Sequence, residues 1–253
     1  MQYQLDSDRS EKFTKTNAYD SLISKLLEVK LSKEEEFYLL RIMCQAIACD
    51  HPEREPSNDH SKFITRLSNA ITSLSPAGIL VPPKGYVWKG HLPFLSEKEI
   101  RLLTKEASRQ REFSVKATKH YLLEGSSFAS SILLRNEFTK FISRVTKDKC
   151  SVKPTSTFYH WYNLPTHRVE PHVDVTKFGL SVLMLLSNNF ESDARASEFF
   201  VYPPDNKPTK LKLAEGEAVV LYSGSTVHAR SAPNPGENVL TVSWGFEIVE
   251  QDK

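Results

Sequence analysis

The chain has 253 residues, with 33 Lys and Arg against 31 Asp and Glu and a formal net charge of +2. That length can bury a large core as one domain plus a smaller extension, and the near balance of charge, without a basic stripe, argues against a nucleic-acid partner. Three cysteines (Cys44, Cys49, Cys150) in no repeated spacing give no disulfide framework and fit a reducing cytoplasm. The opening stretch Met1–Asp8 lacks the basic and apolar regions of a secretory signal, and no apolar run approaches the roughly 20 residues that span a bilayer, so no membrane partner is expected.

In chain order, Leu22, Ile23, Leu26, Leu27 and Val29 recur at helical spacing. Ser32 with Glu35 makes a capping box for a helix that carries Phe37, Leu39, Leu40, Ile42, Met43 and Ala46 inward and ends before Pro52. After a polar stretch, Phe63, Ile64, Leu67, Ala70, Ile71 and Leu74 predict a further amphipathic helix. Residues 1–84 thus read as an N-terminal helical extension that covers the following domain (85–253) or joins two copies as a homodimer. Ser75–Gly78 breaks the helical pattern, and Ile79–Val81 predicts a first strand closed by Pro82-Pro83. A second capping box, Ser96 with Glu99, opens a helix burying Ile100, Leu102, Leu103 and Ala107. Phe128–Val145 predicts one more bracing helix. His91 and His120 fall near element ends and read as surface histidines.

Thr155–Tyr162 is rich in strand formers. Its aromatics alternate with hydroxyls, so one face can line a pocket, and His160 shares parity with Tyr162 as a candidate substrate contact. His167 sits in the following turn, offset from any ligand position. The centre of the chain is Pro171-His172-Val173-Asp174. Residues flanking one spacer in an extended stretch point the same way, so His172 and Asp174 can face one point while Val173 turns into packing. Leu180–Leu186 reads as a buried strand, Ala218–Tyr222 as another, then comes His228, and after a Pro/Asn/Gly turn Val239–Phe246 forms a last strand containing Trp244. A histidine brought beside His172 and Asp174 completes two imidazoles and a carboxylate with three coordination sites open, a set suited to iron(II) that must also bind oxygen and an organic ligand.

This order of motifs resembles the iron(II)/2-oxoglutarate-dependent oxygenase superfamily, most of all its prolyl-4-hydroxylase-like branch, over roughly residues 85–248. The resemblance implies an α+β fold whose core is a double-stranded β-helix, or jelly roll, braced by helices and holding the metal in its mouth. It implies His172, Asp174 and His228 as metal ligands, Fe(II), 2-oxoglutarate and O2 as cofactor and cosubstrates, and Tyr162 as a hydrogen-bond donor to the 2-oxoglutarate. Relatives place an arginine nine to eleven residues after the second histidine to bind the distal carboxylate. With Trp244 setting the register, that place falls on Asn238, whose amide cannot give a charge-assisted bidentate pair. Arg230, two residues beyond His228, points inward if its strand stays extended and is the candidate replacement, with Asn238 bonding nearby. Arg168 and Arg195 are further candidates for an anionic substrate. Relatives also carry glycines where this chain has Ala196-Ser197 before Glu198, so that turn should differ.

The chemistry implied is oxidation of an unactivated C–H bond of a small-molecule substrate, an amino acid or natural-product intermediate, with hydroxylation ahead of desaturation or ring closure. A prolyl or lysyl protein substrate, an oxygenase of the same fold that uses no 2-oxo acid, a cupin-like isomerase and a non-enzymatic jelly-roll binding module are the alternatives. Asp174 disfavours halogenation, which uses a small residue at that place.

Overall fold

The computed structural model describes residues 32–33, 35–41, 58–75, 77–117, 119–190, 196–204 and 207–249. Among the described residues, eleven strands form two antiparallel sheets. The larger has the order β1-β9-β6-β11-β4-β3-β2, built from β1 (Trp88–His91), β9 (Glu217–Leu221), β6 (Leu180–Asn189), β11 (Asn238–Val249), β4 (Ser151–Tyr162), β3 (His120–Glu124) and β2 (Val115–Ala117). The smaller has the order β5-β10-β7-β8, from β5 (Val169–His172), β10 (Val227–Arg230), β7 (Phe199–Tyr202) and β8 (Thr209–Leu211). The sheets face each other: Phe199, Val201 and Leu211 of the small sheet pack on Val219, Leu221 and Leu183 of the large one.

The period-two alternation of the strands decides which side is which. Trp161, Val182, Met184, Val220, Leu240, Val242, Trp244 and Phe246 put large apolar groups on one face of the large sheet. Three helices cover that face: α2 (Glu97–Gln110), α3 (Ser127–Leu133) and α4 (Asn136–Thr146), through Leu103, Ile132, Phe138, Phe141 and Ile142. Full burial of side chains of this size contributes about 1.5–3 kcal/mol each. The Trp244 indole N–H donates to the Ala129 carbonyl at 3.0 Å, which fixes the ring against α3. The expected box at Ser96 and Glu99 is present: Ser96 Oγ accepts from the Glu99 N–H, and Glu99 returns a bond to the Ser96 N–H at 2.9 Å. Glu106, later on α2, accepts from the backbone N–H groups of Phe128 (2.8 Å) and Ala129 (3.2 Å) and so caps α3.

Behind the small sheet, helical residues 35–41 and α1 (Asn58–Leu74) bury Phe37, Leu40, Leu67 and Ile71 against Phe200, Tyr202, Val227 and Ala229. Ser68 Oγ donates to the Tyr202 carbonyl at 2.6 Å and Thr72 Oγ1 to that of Ser225 at 3.0 Å. The box at Ser32 and Glu35 opens the first of these helical pieces. The stripe Leu22–Val29, Cys44, Cys49 and the positions Ile42, Met43 and Ala46 lie outside the described residues. Among the described residues, no helix is long and apolar enough to cross a membrane.

Three element expectations are corrected. Ile79–Val81 is not a strand: Gly78–Leu80 is a 3-10 turn with Ile79 92% exposed. The chain folds back there so tightly that a side chain at Gly78 would meet the Thr72 carbonyl. The first strand among the described residues is Trp88–His91, paired with β9. Phe128–Val145 is two helices, because Arg135 is extended (φ −71°, ψ 136°) and starts a new one at Asn136. The short β2–β3 hairpin, which joins the edge of the large sheet through β4, was not anticipated.

Candidate active site

The two strands that carry the histidines are hydrogen-bonded neighbours, and His172 stands directly opposite His228. β5 ends at His172, and the Asp174 N–H then donates to the Ser223 carbonyl at 2.8 Å, which holds the carboxylate beside the strand. Val173 turns away and joins the core under α1. The three side chains offer one ligand atom each, all within 4.8 Å of one another. His172 Nε2 is 3.4 Å and His228 Nε2 is 3.8 Å from Asp174 Oδ1.

The backbone sets how the imidazoles present themselves. His172 Nδ1 lies 2.8 Å from the Glu170 carbonyl and His228 Nδ1 2.9 Å from that of Thr226. Each Nδ1 therefore donates its proton to a carbonyl two residues back, leaving both Nε2 lone pairs for the shared point. Ser181 Oγ donates to Asp174 Oδ2 at 3.3 Å and is itself bonded to Ser223 Oγ at 2.7 Å. Burial opposes ionisation of Asp174, but the His172 hydrogen bond and the nearby imidazoles outweigh it and bring its pKa down to about 2. Burial and the neighbouring His172 push His228 down to about 4. At neutral pH the site thus offers an ionised carboxylate and a neutral His228, the protonation states a metal needs. His172 goes the other way: burial lowers its pKa, but the bond to Asp174 and its charge raise it overall.

The triad forms one wall of a cavity of about 240 Å³ between the sheets. The opposite wall is the inner face of the large sheet, with Phe158, His160 and Tyr162 from β4 and Thr241, Ser243 and Gly245 from β11. His160 and Tyr162 are on the wall as their parity predicts. His120 is there too, and it is not a surface residue: its ring stacks on Tyr162 (5.1 Å, 21°) and its Nε2 lies 3.3 Å from His160 Nδ1. His160 Nε2 in turn is 2.9 Å from Ser243 Oγ. Desolvation holds His120 near 4 and His160 near 3, so both rings are neutral hydrogen-bonding groups. Recognising the β2–β3 hairpin is what would have placed His120, since β3 pairs with β4 across Leu122 and His160.

Arg230 is inward and buried, two residues along β10 from His228. Its Cζ sits 5.2 Å from the Tyr162 ring centre, and its Nη2 donates to Ser197 Oγ at 3.0 Å, while its Nε is buried without a partner. Thr241 Oγ1, on the same cavity wall, is likewise buried and unpartnered. Thr241 was missed in the sequence because the register was read from Trp244. That ring faces the helices, so the cavity side of β11 is 241, 243 and 245, not the even positions. The same correction removes Asn238: it is exposed, is not part of the cavity wall, and donates to the Gly236 carbonyl at 3.1 Å. Arg168 is also away from the cavity wall and pairs with Glu170, whose carboxylate Lys119 shares. Arg195 lies outside the described residues. His167 is buried, accepts from the Asn163 N–H at 3.2 Å and takes no part in the triad.

No protein-family model and no curated protein sequence matches the chain. Solved structures do. A Pseudomonas putida prolyl-4-hydroxylase superposes with a TM-score of 0.52 at 14% identity, over 64% of this chain and 92% of that one. A 2OG-Fe(II) oxygenase-family oxidoreductase from Burkholderia pseudomallei gives 0.53 at 13% identity, over 68% and 90%. SnoN, a non-haem alpha-ketoglutarate-dependent epimerase from nogalamycin biosynthesis, gives 0.53 at 14% identity, over 68% and 82%. At these identities the similarity establishes the architecture: the chain has the fold shared by these 2OG-Fe(II) oxygenases.

Proposed function

We propose that the chain is a non-haem iron(II)/2-oxoglutarate-dependent dioxygenase that oxidises an unactivated C–H bond of a small molecule, with hydroxylation as the outcome. The observation that carries this reading is the convergence of His172, Asp174 and His228 on one point of a cavity that also holds unpaired polar groups. Two imidazole nitrogens and one carboxylate suit a first-row divalent metal and leave positions for other ligands. The buried, unpartnered Arg230 Nε and Thr241 Oγ1 fit a carboxylate-bearing cosubstrate, because an unsatisfied buried donor costs about 1–3 kcal/mol until a ligand pairs it.

In this reading the triad holds the iron, and Arg230, Tyr162 and Thr241 hold the 2-oxoglutarate carboxylate. Iron with a bound 2-oxo acid supplies the oxygen activation that cleaving such a C–H bond requires. The protein supplies orientation and water exclusion. Phe158, Phe178, Phe199, Leu183 and Leu221 make the cavity wall apolar. His160, its two ring nitrogens held by His120 and Ser243, gives the substrate a fixed neutral ring to pack against. Among the described lining residues the one carboxylate is Asp174, which the metal takes. No acid is left there to pair an ammonium, so an uncharged substrate portion is favoured over a lysyl side chain or the ammonium of a free amino acid.

The test is an anaerobic titration of the Fe(II) protein with 2-oxoglutarate, which should raise a visible charge-transfer band that saturates. Arg230→Ala should weaken this binding by about 10- to 100-fold, the worth of a charged hydrogen-bond pair. Failure to bind any divalent metal would end the reading in favour of a binding module. Oxygen uptake without succinate would point to an oxygenase that uses no 2-oxo acid.

A further inference from the structure

Glu237 lies in the turn before β11 and is fully buried at 0% exposure. Its Oε2 accepts from the Asn234 N–H (2.8 Å) and Nδ2 (3.0 Å), which shapes the turn. Its Oε1 does something else. It reaches across to Asn188 Nδ2 at 3.1 Å and to both the N–H (2.7 Å) and the hydroxyl (2.8 Å) of Ser197. Both oxygens of a carboxylate accept, whereas an amide would turn its NH2 donor toward one of these two sets of donors.

The Ser197 hydroxyl has one proton. With that proton given to Glu237, its lone pairs are turned to Arg230 Nη2 at 3.0 Å, and the Ser197 carbonyl accepts from the same nitrogen at 3.4 Å. The chain of bonds therefore runs from an acid outside the cavity wall, through a hydroxyl of fixed polarity, to the guanidinium on the wall. Glu237 and Arg230 carry opposite charges and attract across this bridge. The resemblance expects a cation at Asn238; here the neighbouring residue is an acid, and the cation comes from β10 instead.

We propose that Glu237, acting through Ser197, is a positioning residue that orients Arg230 for the carboxylate of the 2-oxo acid. The proposal rests on the assignment of Arg230 as that anchor. It predicts that the bridge governs cosubstrate binding and leaves metal binding alone, since neither Ser197 nor Glu237 touches the triad.

The experiment uses the full chain loaded with Fe(II) under anaerobic conditions and titrated with 2-oxoglutarate. Ser197→Ala and Glu237→Gln should each raise the 2-oxoglutarate Kd about tenfold. Fe(II) affinity should stay within about twofold of wild type, and kcat at saturating 2-oxoglutarate should be preserved while KM for it rises. Ser197→Thr, which keeps the hydroxyl, should restore the affinity. If Glu237→Gln fails to fold, Ser197→Ala decides. Unchanged Kd in Ser197→Ala, with Arg230→Ala impaired, overturns the bridge and leaves the anchor standing. Unchanged Kd in Arg230→Ala overturns the anchor and the bridge with it.

Discussion

Gly245 offers a test of how the metal site is held from below. It sits on the cavity side of β11, and a Cβ built there would lie 2.0 Å from Phe178 Cδ1 and 2.4 Å from Cε1. An ordinary carbon–carbon contact is about 3.5–4 Å, so Gly245→Ala forces the ring, and with it the turn Thr176–Phe178, to move. The Phe178 carbonyl and Ser181 Oγ each lie 2.7 Å from Ser223 Oγ and share its one proton, and Ser181 donates to Asp174 Oδ2. The methyl group should therefore disturb the Asp174 carboxylate through this pair of hydroxyls without touching it. Overpacking of this kind costs about 1–3 kcal/mol, which for a chain of this size is a Tm drop of roughly 2–12 °C. Calorimetry and a Co(II) titration would measure both effects. In the double variant Gly245→Ala/Phe178→Ala the ring is gone, and Co(II) affinity should recover, with a coupling of at least about 0.5 kcal/mol. Wild-type Tm and Co(II) affinity in Gly245→Ala would show that the ring swings aside freely and that the turn does not brace Asp174.

Trp244→Phe should cost about 2 kcal/mol, because it removes the indole bond to the Ala129 carbonyl and leaves space beside α3. A lower denaturation midpoint at constant slope, with metal and 2-oxoglutarate binding intact, is the expected result; loss of binding would contradict a ring that faces the helices. Glu106 carries a pH dependence. Burial raises its pKa, but bonds from Phe128, Ala129 and Tyr159 outweigh this and leave it below its usual 4.5. A depressed acid contributes stability that is present above 4.5 and is lost as pH falls through the lower folded value. Glu106→Gln should thus lose about 1 kcal/mol at pH 7, the worth of a helix cap, with the gap to wild type closing in acid; a gap that persists at low pH would refute the role. His160→Phe should keep 2-oxoglutarate binding and uncouple succinate formation from substrate oxidation, as measured by the ratio of the two products.

The convergence of His172, Asp174 and His228 was legible because it depends on local rules. His172 and Asp174 flank one residue, and His228 follows a strand of unmistakable apolar character. The inward direction of Arg230 followed from counting two along the same strand. What failed were inferences across strands. Spacing counted from Trp244 put the arginine's place at Asn238, which lies outside the cavity wall, and passed over Thr241, which is on it. The alternation of Leu240, Val242 and Trp244 with Thr241 and Ser243 separates the two faces of β11, and counting from Trp244 alone did not use it. His120 was hidden for a related reason: β3 is five residues long and is defined by its pairing with β4. The network at Glu237 joins residues 188, 197, 230 and 237, a convergence that spacing alone could not signal.

The strand bearing His228 is pressed between the cavity on one side and α1 on the other, with Val227 and Ala229 in the core that Leu67 and Ile71 share. Trimming the chain before residue 75 would strip the backing from this strand and bare Tyr202 and Phe200 to solvent. The damage would reach His228 and the candidate metal site, far from the cut. A metal-free preparation of a shortened chain would therefore say little about whether the intact one is an oxygenase.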